Sequence, residues 1–323
     1  MISIIIVNYN VYNDVFTCIE SIKEFTKNIS YEIIVVDNNS FERDIDGINS
    51  IYPEVSYIRL KDNRGFGAAN NIAMSKASGE YILLVNPDIV FIDNSIKRMS
   101  DYLEKNSGVG VVGPVFIKPE GDVESYYRFF PSLYSRFLQQ IGLYMRSSYM
   151  RKRREVFYQL SIEKNRPFQI DWILGACMML RRKTFEETGG FDETFFLYEE
   201  EVDWQKRILS ELGLKSFILP EVKVLHNHHS STYKEGLAFM RYHGFRSMII
   251  FTSKHDKSII KLLNKLMHTI SITYRLLRGF FLKRYRLINF KTHTLLFINL
   301  YKLNWVNKKN LFNYKFIFKV YNQ

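Results

Sequence analysis

The sequence predicts an α/β protein built on a mostly parallel, doubly wound sheet. Residues 2 to 7, 31 to 36, 55 to 60 and 80 to 85 are short β-branched or aliphatic runs bounded by polar turns. The longer gaps between them carry helical periodicity, which makes a βαβ alternation. The runs Ile33, Ile34, Val35, Val36 and Ile82, Leu83, Leu84, Val85 are continuously apolar. Strands covered by helices on both faces read that way, whereas a strand with one wet face alternates.

Composition sets the outer bounds. A chain of 323 residues exceeds one usual domain, and a single α/β domain with helical appendages accounts for it. With 46% hydrophobic and 15% aromatic residues it is globular, not disordered. The formal charge of +12 is unevenly spread. Residues 231 to 323 hold 18 Lys and Arg against Glu235 and Asp256 alone, while residues 1 to 230 hold 27 Lys and Arg against 31 Asp and Glu. A near-neutral body with a basic tail predicts an anionic partner. No zinc-finger spacing, heptad repeat or RNA-binding signature accompanies the basic residues, so the expected partner is a membrane leaflet and not nucleic acid. Cys18 and Cys177 are too few for a disulfide framework or a zinc site, which predicts buried free thiols and a reducing cytosol. The opening MISIIIVNYN has no basic leader, and its apolar run is too short for a signal core or a span, so it reads as a first strand.

In an open α/β sheet, ligands sit beyond the carboxyl ends of the strands. Strand one ends in Asn8, Tyr9, Asn10; strand two in Asp37, Asn38, Asn39, Ser40; strand four in Asn86, Pro87, Asp88. Three strand ends thus predict one polar crevice. Between 122 and 168 the pattern loosens around Tyr126, Tyr127, Phe129, Phe130 and the run Arg151 to Arg154, a variable loop or helical insertion. Regular structure resumes at Asp171 and continues to about Ser231, which predicts one domain over 1 to 231 and a basic helical region over 232 to 323. Within that region, 258 to 283 is amphipathic, with Ile259, Leu262, Leu263, Leu266, Ile270, Leu277 and Phe280 at helical spacing and Lys261, Lys265, His268 and Arg275 along another face. It reads as an interfacial helix on anionic lipid or as a helix packed on the main domain with a solvated basic face.

Several residues are candidates for chemistry. Asp88 on a tight turn after a strand offers a hard oxygen ligand for a divalent ion, though such an Asp is also an ordinary turn cap. Asp37 can accept from a pyrimidine N–H or a ribose hydroxyl, or can close an Asx turn. Asn63, Arg64, Gly65, Phe66, Gly67 lead into a helix over 68 to 75, where glycines let the backbone approach a phosphate or sugar closely. Tyr198, Glu199, Glu200, Glu201, Val202, Asp203 follow the turn Gly189 to Glu193. A carboxylate cluster there suits a helix start, where the macrodipole stabilises it, and also suits a general base. His226 after the run Val222 to Leu225 is a candidate to complete a metal shell begun by Asp88.

Taken in order, SIIIVNYN, EIIVVDNNS, NRGFGAANN, YILLVNPD, GACMMLRRKTFEETGGFDETFFLYEEEVDW and a downstream histidine resemble the family-two glycosyltransferases, in particular the bacterial rhamnosyltransferase-like branch. The resemblance covers roughly residues 1 to 231. It implies a GT-A fold, inversion at the anomeric carbon, and a nucleoside diphosphate sugar bound at the strand ends with Mg²⁺ or Mn²⁺. Carried over by position, Asn8 and Tyr9 line the nucleobase pocket, Asp37 holds base or ribose, and Asn63 and Gly65 flank the donor. Asp88 and His226 ligate the metal, and Trp172, Gly175 and Ala176 form the acceptor-side segment. Two departures stand out. Glu200 and Glu201 replace the usual Glu-Asp, so the base falls on Glu201 or, failing that, on Glu200. Asn86 replaces the first Asp of the common Asp-x-Asp. The resemblance implies hexosyl transfer, best fitted by L-rhamnose from dTDP-rhamnose, onto a lipid-linked or growing surface polysaccharide at the cytoplasmic face of the cell membrane. UDP-glucose or UDP-galactofuranose is the same-class alternative; a sugar-1-phosphate nucleotidyltransferase and a non-catalytic glycan-binding protein are the others.

Overall fold

The structure is a computed structural model that describes residues 1–41, 47–123, 127–227 and 237–281. It divides into two compact units, Met1–Ser247 and Met248–Gln323. In the first unit β1 (Ile2–Asn8), α1 (Tyr12–Phe25), β2 (Tyr31–Asp37), α2 (Ile48–Ile51), β3 (Val55–Arg59), α3 (Phe66–Met74) and β4 (Tyr81–Val85) alternate as the apolar runs predict. There follow β5 (Ile89–Phe91), α4 (Ser95–Lys105), β6 (Val109–Ile117), α5 (Leu133–Gln140), α6 (Ser148–Tyr158), β7 (Phe168–Ile170) and β8 (Cys177–Arg181). The unit continues with α7 (Arg182–Thr188), α8 (Glu200–Leu212), β9 (Lys215–His226) and the residues up to Ser247 of α9 (Leu237–His255). The loose stretch between 122 and 168 is thus helical over most of its described length.

All nine strands form one sheet in the order β3-β2-β1-β4-β8-β6-β9-β5, with β7 also paired to β9. Side chains alternate across β1, so Ile2, Ile4 and Ile6 join one core with α1 and α4. Ile5 joins the other, with α3 and α8. Both faces are covered, which is why β1, β2 and β4 read as unbroken apolar runs.

The parallel reading holds for β1 to β4 and for β6 with β9. β8 runs antiparallel between β4 and β6, and β5 and β7 run antiparallel to β9, so the sheet is mixed and still mostly parallel, as expected. An apolar run encodes burial but not direction, and the connections around β5 and β7 are too irregular for periodicity to reveal the reversal. The reversal positions the site. Val85 pairs with Cys177 and Ile89 with His226, which brings the turn after β4 beside both the segment before β8 and the end of β9.

Cys18 and Cys177 are free and buried, as their spacing predicts. In the second unit α10 (Ser258–Phe281) forms where the apolar stripe predicts a helix. Asn264, His268 and Ile272 are buried in it, and Asn264 Nδ2 donates to Asp256 at 2.9 Å. Ile259, Leu262, Leu263, Leu266 and Ile270 are exposed. Among the described residues, no helix is long and apolar enough to cross a membrane. The tail beyond 281, together with His228, His229 and Ser231, lies outside the described residues.

Candidate active site

The first corner of the site is a web of short polar side chains. Asn8 Nδ2 donates to Asp37 Oδ2 at 2.7 Å and to Ser40 Oγ at 3.0 Å. Asp37 Oδ1 accepts from the Ser40 amide at 2.9 Å and lies 4.0 Å from Arg59 Nε. Asp37 is fully buried, so its first task is to order the strand ends. A ligand contact to it would use lone pairs that these donors leave. Asn38 binds the next loop with its whole amide: Nδ2 donates to Asn63 Oδ1 at 2.9 Å and to the Gly65 carbonyl at 3.2 Å, while Oδ1 accepts from the Arg64 amide at 2.9 Å. Tyr9 is half-buried at the rim, its ring 6.2 Å from that of Phe41.

Gly65 precedes α3 with φ of +86°, a region open to glycine. A Cβ there would sit 2.2 Å from the Phe196 carbonyl oxygen, which accepts from the Phe66 amide at 3.0 Å. The loop before α3 and the loop before α8 are therefore in backbone contact. The ring of His243 on α9 stacks 4.6 Å from that of Phe196.

The second corner is the turn after β4. The Ile89 amide donates to the Asn86 carbonyl at 3.2 Å and closes the turn, while the Asn86 amide donates to the Ala176 carbonyl at 2.8 Å. The Asn227 amide donates to the Asp88 carbonyl at 2.9 Å, so both ends of the turn are fixed. Asp88 Oδ2 lies 3.5 Å from His226 Nε2, and both residues are buried. Asp88 Oδ1 has no hydrogen-bond partner. A buried carboxylate oxygen without a donor, beside an imidazole nitrogen, fits a divalent cation. Among the described residues, no group of three His, Cys, Asp or Glu side chains is arranged to hold a metal. A cation bound by Asp88 and His226 would thus need further oxygens from a ligand, as Mg²⁺ sites on phosphates do.

The third corner is the start of α8. Tyr198 and Glu199 have φ of +69° and +66°, two strained non-glycine residues in succession. The Glu199 carboxylate pairs with the buried Arg136 of α5 at 3.4 Å. Asp203 is fully buried and accepts from Arg207 Nε at 3.0 Å, a structural ion pair one turn along. Glu200 is buried and its Oε2 has no partner. Burial, reinforced by the charge of Glu201, raises its carboxyl well above the usual range, which favours its neutral form. Glu201 is half-buried. Burial pushes it up to about 7, helped by the Glu199 charge and opposed by backbone N–H groups, that of Gly175 among them, and by Arg128. A carboxyl at that value can both hold and release a proton near neutrality.

The segment before β8 joins these corners. Gln205 on α8 clamps Ile173, its Oε1 accepting from the Ile173 amide and its Nε2 donating to the Ile173 carbonyl, both at 2.7 Å. Trp172 is half-buried; its indole N–H donates to the Phe129 carbonyl at 3.0 Å and the Arg128 guanidinium lies 5.3 Å over its ring. A Cβ on Gly175 would lie 3.2 Å from the Phe66 ring and 3.6 Å from Glu201 Cβ.

The predicted residues therefore fall into linked groups: Asn8 with Asp37, Asn63 with Gly65, Asn86 and Asp88 with Ala176 and His226, and Gly175 with Glu201. Asn38, Arg59, Arg128, Arg136 and Gln205 join these groups without a motif that marks them in the sequence. Asn38 was at least visible as a strand-end polar residue. Arg128 and Arg136 lie in the segment without pattern, and no local signal marks them.

A mixed sheet of this order, with its polar crevice at the carboxyl ends of β1, β2 and β4, defines a GT-A protein. It resembles a mannosyltransferase of Pyrobaculum calidifontis solved with GDP-mannose and Mn²⁺, with a TM-score of 0.54 and 14% identity over 93% of this chain and 75% of that one. It also resembles GalNAc-T7 solved with UDP, GalNAc and Mn²⁺, with a TM-score of 0.54 and 14% identity over 83% of this chain and 55% of that one, little more than half its length. Residues 3–189 match the family described as Glycosyl transferase family 2, and the chain belongs to it. In sequence it is 27% identical to the N-acetylglucosaminyl-diphospho-decaprenol L-rhamnosyltransferase of Mycobacterium tuberculosis over 237 residues, 69% of this chain and 75% of that protein. It is 28% identical to the rhamnosyltransferase WbbL of Escherichia coli over 221 residues, 64% of this chain and 79% of that protein.

Proposed function

We propose that this glycosyltransferase is an inverting hexosyltransferase that moves L-rhamnose from dTDP-rhamnose onto a lipid-linked or growing surface polysaccharide, with Glu201 as the general base. The observation that carries this is the position of Glu201. Gly175 packs against it, a Cβ there lying 3.6 Å from Glu201 Cβ, and the neighbouring Ala176 carbonyl accepts from the Asn86 amide of the turn that bears Asp88. Base, acceptor segment and donor turn are thus consecutive neighbours, the first two in packing contact and the last two joined by a hydrogen bond.

In this reading the nucleoside lies along Asn8, Tyr9 and Asp37, and Asn63 and Gly65 flank the diphosphate. Trp172, Gly175 and Ala176 line the acceptor. Glu201 removes the proton of the acceptor hydroxyl as that oxygen attacks the anomeric carbon opposite the diphosphate. Burial disfavours the charged form of Glu200, which supports Glu201 ahead of it as the base. Asp88 and His226 would hold Mg²⁺ or Mn²⁺, whose charge stabilises the diphosphate as it leaves. The choice of rhamnose is supported by the two rhamnosyltransferase relatives, and a metal by the two Mn²⁺-bearing structural neighbours. For the body this reading keeps the 1 to 231 domain, with 1 to 121 the nucleotide-sugar half and 169 to 231 the acceptor half. For the tail it is peripheral attachment to the inner face of the cell membrane, supported by the exposed apolar stripe of α10.

The test is a donor panel of dTDP-, UDP- and GDP-sugars with Mg²⁺ or Mn²⁺, scored by nucleoside diphosphate release with a polyprenyl-diphosphate-linked acceptor. dTDP-rhamnose should turn over fastest. Faster turnover of UDP-glucose or UDP-galactofuranose would reassign the donor, and no turnover of any of them would remove the enzymatic reading.

A further inference from the structure

Helix α5 leaves large apolar side chains outside. Ser135, Arg136, Leu138 and Gln140 are buried, whereas Tyr134, Phe137 and the following Ile141 are exposed by 55%, 46% and 48%. Those three stand at i, i+3 and i+7, so they form one stripe along the helix. The stripe continues into the turn that follows, where Leu143 and Met145 are also about half exposed. A helix that packs on its own domain turns such a stripe inward. A contiguous apolar patch left outside marks an interaction surface.

Charge indicates which surface. Between residues 127 and 158 the sequence holds seven Lys and Arg against the single acid Glu155, within a body that is otherwise slightly acidic. Arg136 and Arg153 are buried, and Arg146, Arg151, Lys152 and Arg154 are exposed on the turn after α5 and on α6. Exposed aromatic and aliphatic side chains bordered by exposed cations suit the interface of an anionic bilayer, where the apolar groups enter the acyl boundary and the cations meet headgroup phosphates.

We infer that α5, with the turn to α6, is a membrane-docking face that sets the catalytic crevice at the surface of an anionic bilayer. The face belongs to the catalytic unit itself and is separate in sequence from the basic tail. Its inner side carries Arg136, paired with Glu199, the residue that caps α8 immediately before Glu200 and Glu201. Docking is thereby joined to the catalytic turn by one buried ion pair, and Trp172 of the acceptor segment is joined to the same insertion through the Phe129 carbonyl. A lipid-linked acceptor would then meet the base without leaving the bilayer. That last consequence rests on the proposed acceptor, whereas the docking face itself does not.

A site-specific probe separates this face from the tail. Cys18 and Cys177 are buried, so an Ile141→Cys variant of the full chain takes an environment-sensitive fluorophore at one position. Vesicles of phosphatidylcholine with phosphatidylglycerol should shift its emission to the blue, and lipid-borne quenchers should reduce it. The same label at the exposed Lys76→Cys should respond to neither. In flotation, the full chain carrying Tyr134→Ser, Phe137→Ser and Leu143→Ser should bind these vesicles about tenfold more weakly. Its circular dichroism and its turnover of a water-soluble acceptor should be unchanged. Chains that float while the label at 141 keeps its aqueous spectrum would overturn the proposal and leave binding to the tail. So would a dimer in solution that the triple variant dissociates, because the stripe would then be an interface between copies. Loss of donor turnover in the unsubstituted chain bears on the proposed reaction alone.

Discussion

Gly175 packs against Glu201, with a Cβ at Gly175 lying 3.6 Å from Glu201 Cβ, so the proposed acceptor segment and the proposed base are in contact. Backbone N–H groups and Arg128 favour the charged form of Glu201, burial and the Glu199 charge favour the neutral form, and burial prevails, leaving the carboxyl at about 7. The ionised base therefore accumulates as pH rises through 7. Transfer measured as kcat/KM should climb on an acid limb near that value and level off above it. Arg128 opposes the upward shift, so Arg128→Gln should move the limb to higher pH while Arg128→Lys keeps it close to its original place. A limb fixed near 4.5 would remove Glu201 from that role.

Glu200 carries the opposite consequence for stability. Its carboxyl is raised in the folded chain by burial and by Glu201, so the folded state holds a proton that the unfolded state releases. Stability attached to this residue is complete below the ordinary carboxyl value and falls as pH rises above it. Glu200→Gln removes the penalty. Thermal denaturation at pH 8 should find the variant as stable as the parent or more so, with the difference shrinking at pH 5. A markedly less stable variant at pH 8 would show that Glu200 is ionised and paired.

Asp88 and His226 face each other at 3.5 Å with Asp88 Oδ1 unpartnered. Asp88→Asn should lower transfer by a factor on the order of 10² or more and abolish saturable Mn²⁺ binding in the presence of nucleoside diphosphate. EDTA should reproduce the loss in the parent chain. Mn²⁺ binding that survives Asp88→Asn would place the metal elsewhere.

Gly65 sits against the Phe196 carbonyl with positive φ. An added methyl must displace backbone, so Gly65→Ala should cost about 1–3 kcal/mol and weaken donor binding as the Asn63 to Gly65 loop moves. Calorimetry with and without nucleoside diphosphate checks both. Unchanged stability would mean that the loop has room to relax.

Gln205→Leu should leave the Ile173 amide and carbonyl unpaired in the core, at about 1–3 kcal/mol for each group. KM for the acceptor should rise more than KM for the donor, because Ile173 lies between Trp172 and Leu174 and far along the chain from the donor loops. Equal effects on both would make Gln205 a general core residue.

The first half of the fold is legible in the sequence because β1, β2 and β4 are buried on both faces and each ends in a short polar turn. Direction is what apolar runs omit, and so the antiparallel course of β5, β7 and β8 emerges only in three dimensions. The same distinction governs the site. Asp88, His226 and Glu201 are visible as chemically loaded residues after strands or at a helix start. Arg128 and Arg136 act on Glu201 and Glu199 across long sequence separations from a segment whose periodicity says little. Asp37, read as a nucleotide contact, is first a hub for Asn8, Ser40 and Arg59, a role that spacing alone does not reveal.

The most direct test of the account is single-turnover transfer from dTDP-rhamnose at pH 8 by Glu201→Gln and Glu200→Gln, with dTDP affinity measured in parallel. The account predicts that Glu201→Gln binds dTDP as the parent does and loses transfer by a factor of at least about 10²–10⁴, while Glu200→Gln keeps most of its rate. A Glu201→Gln chain that transfers rhamnose at the parent rate would contradict it.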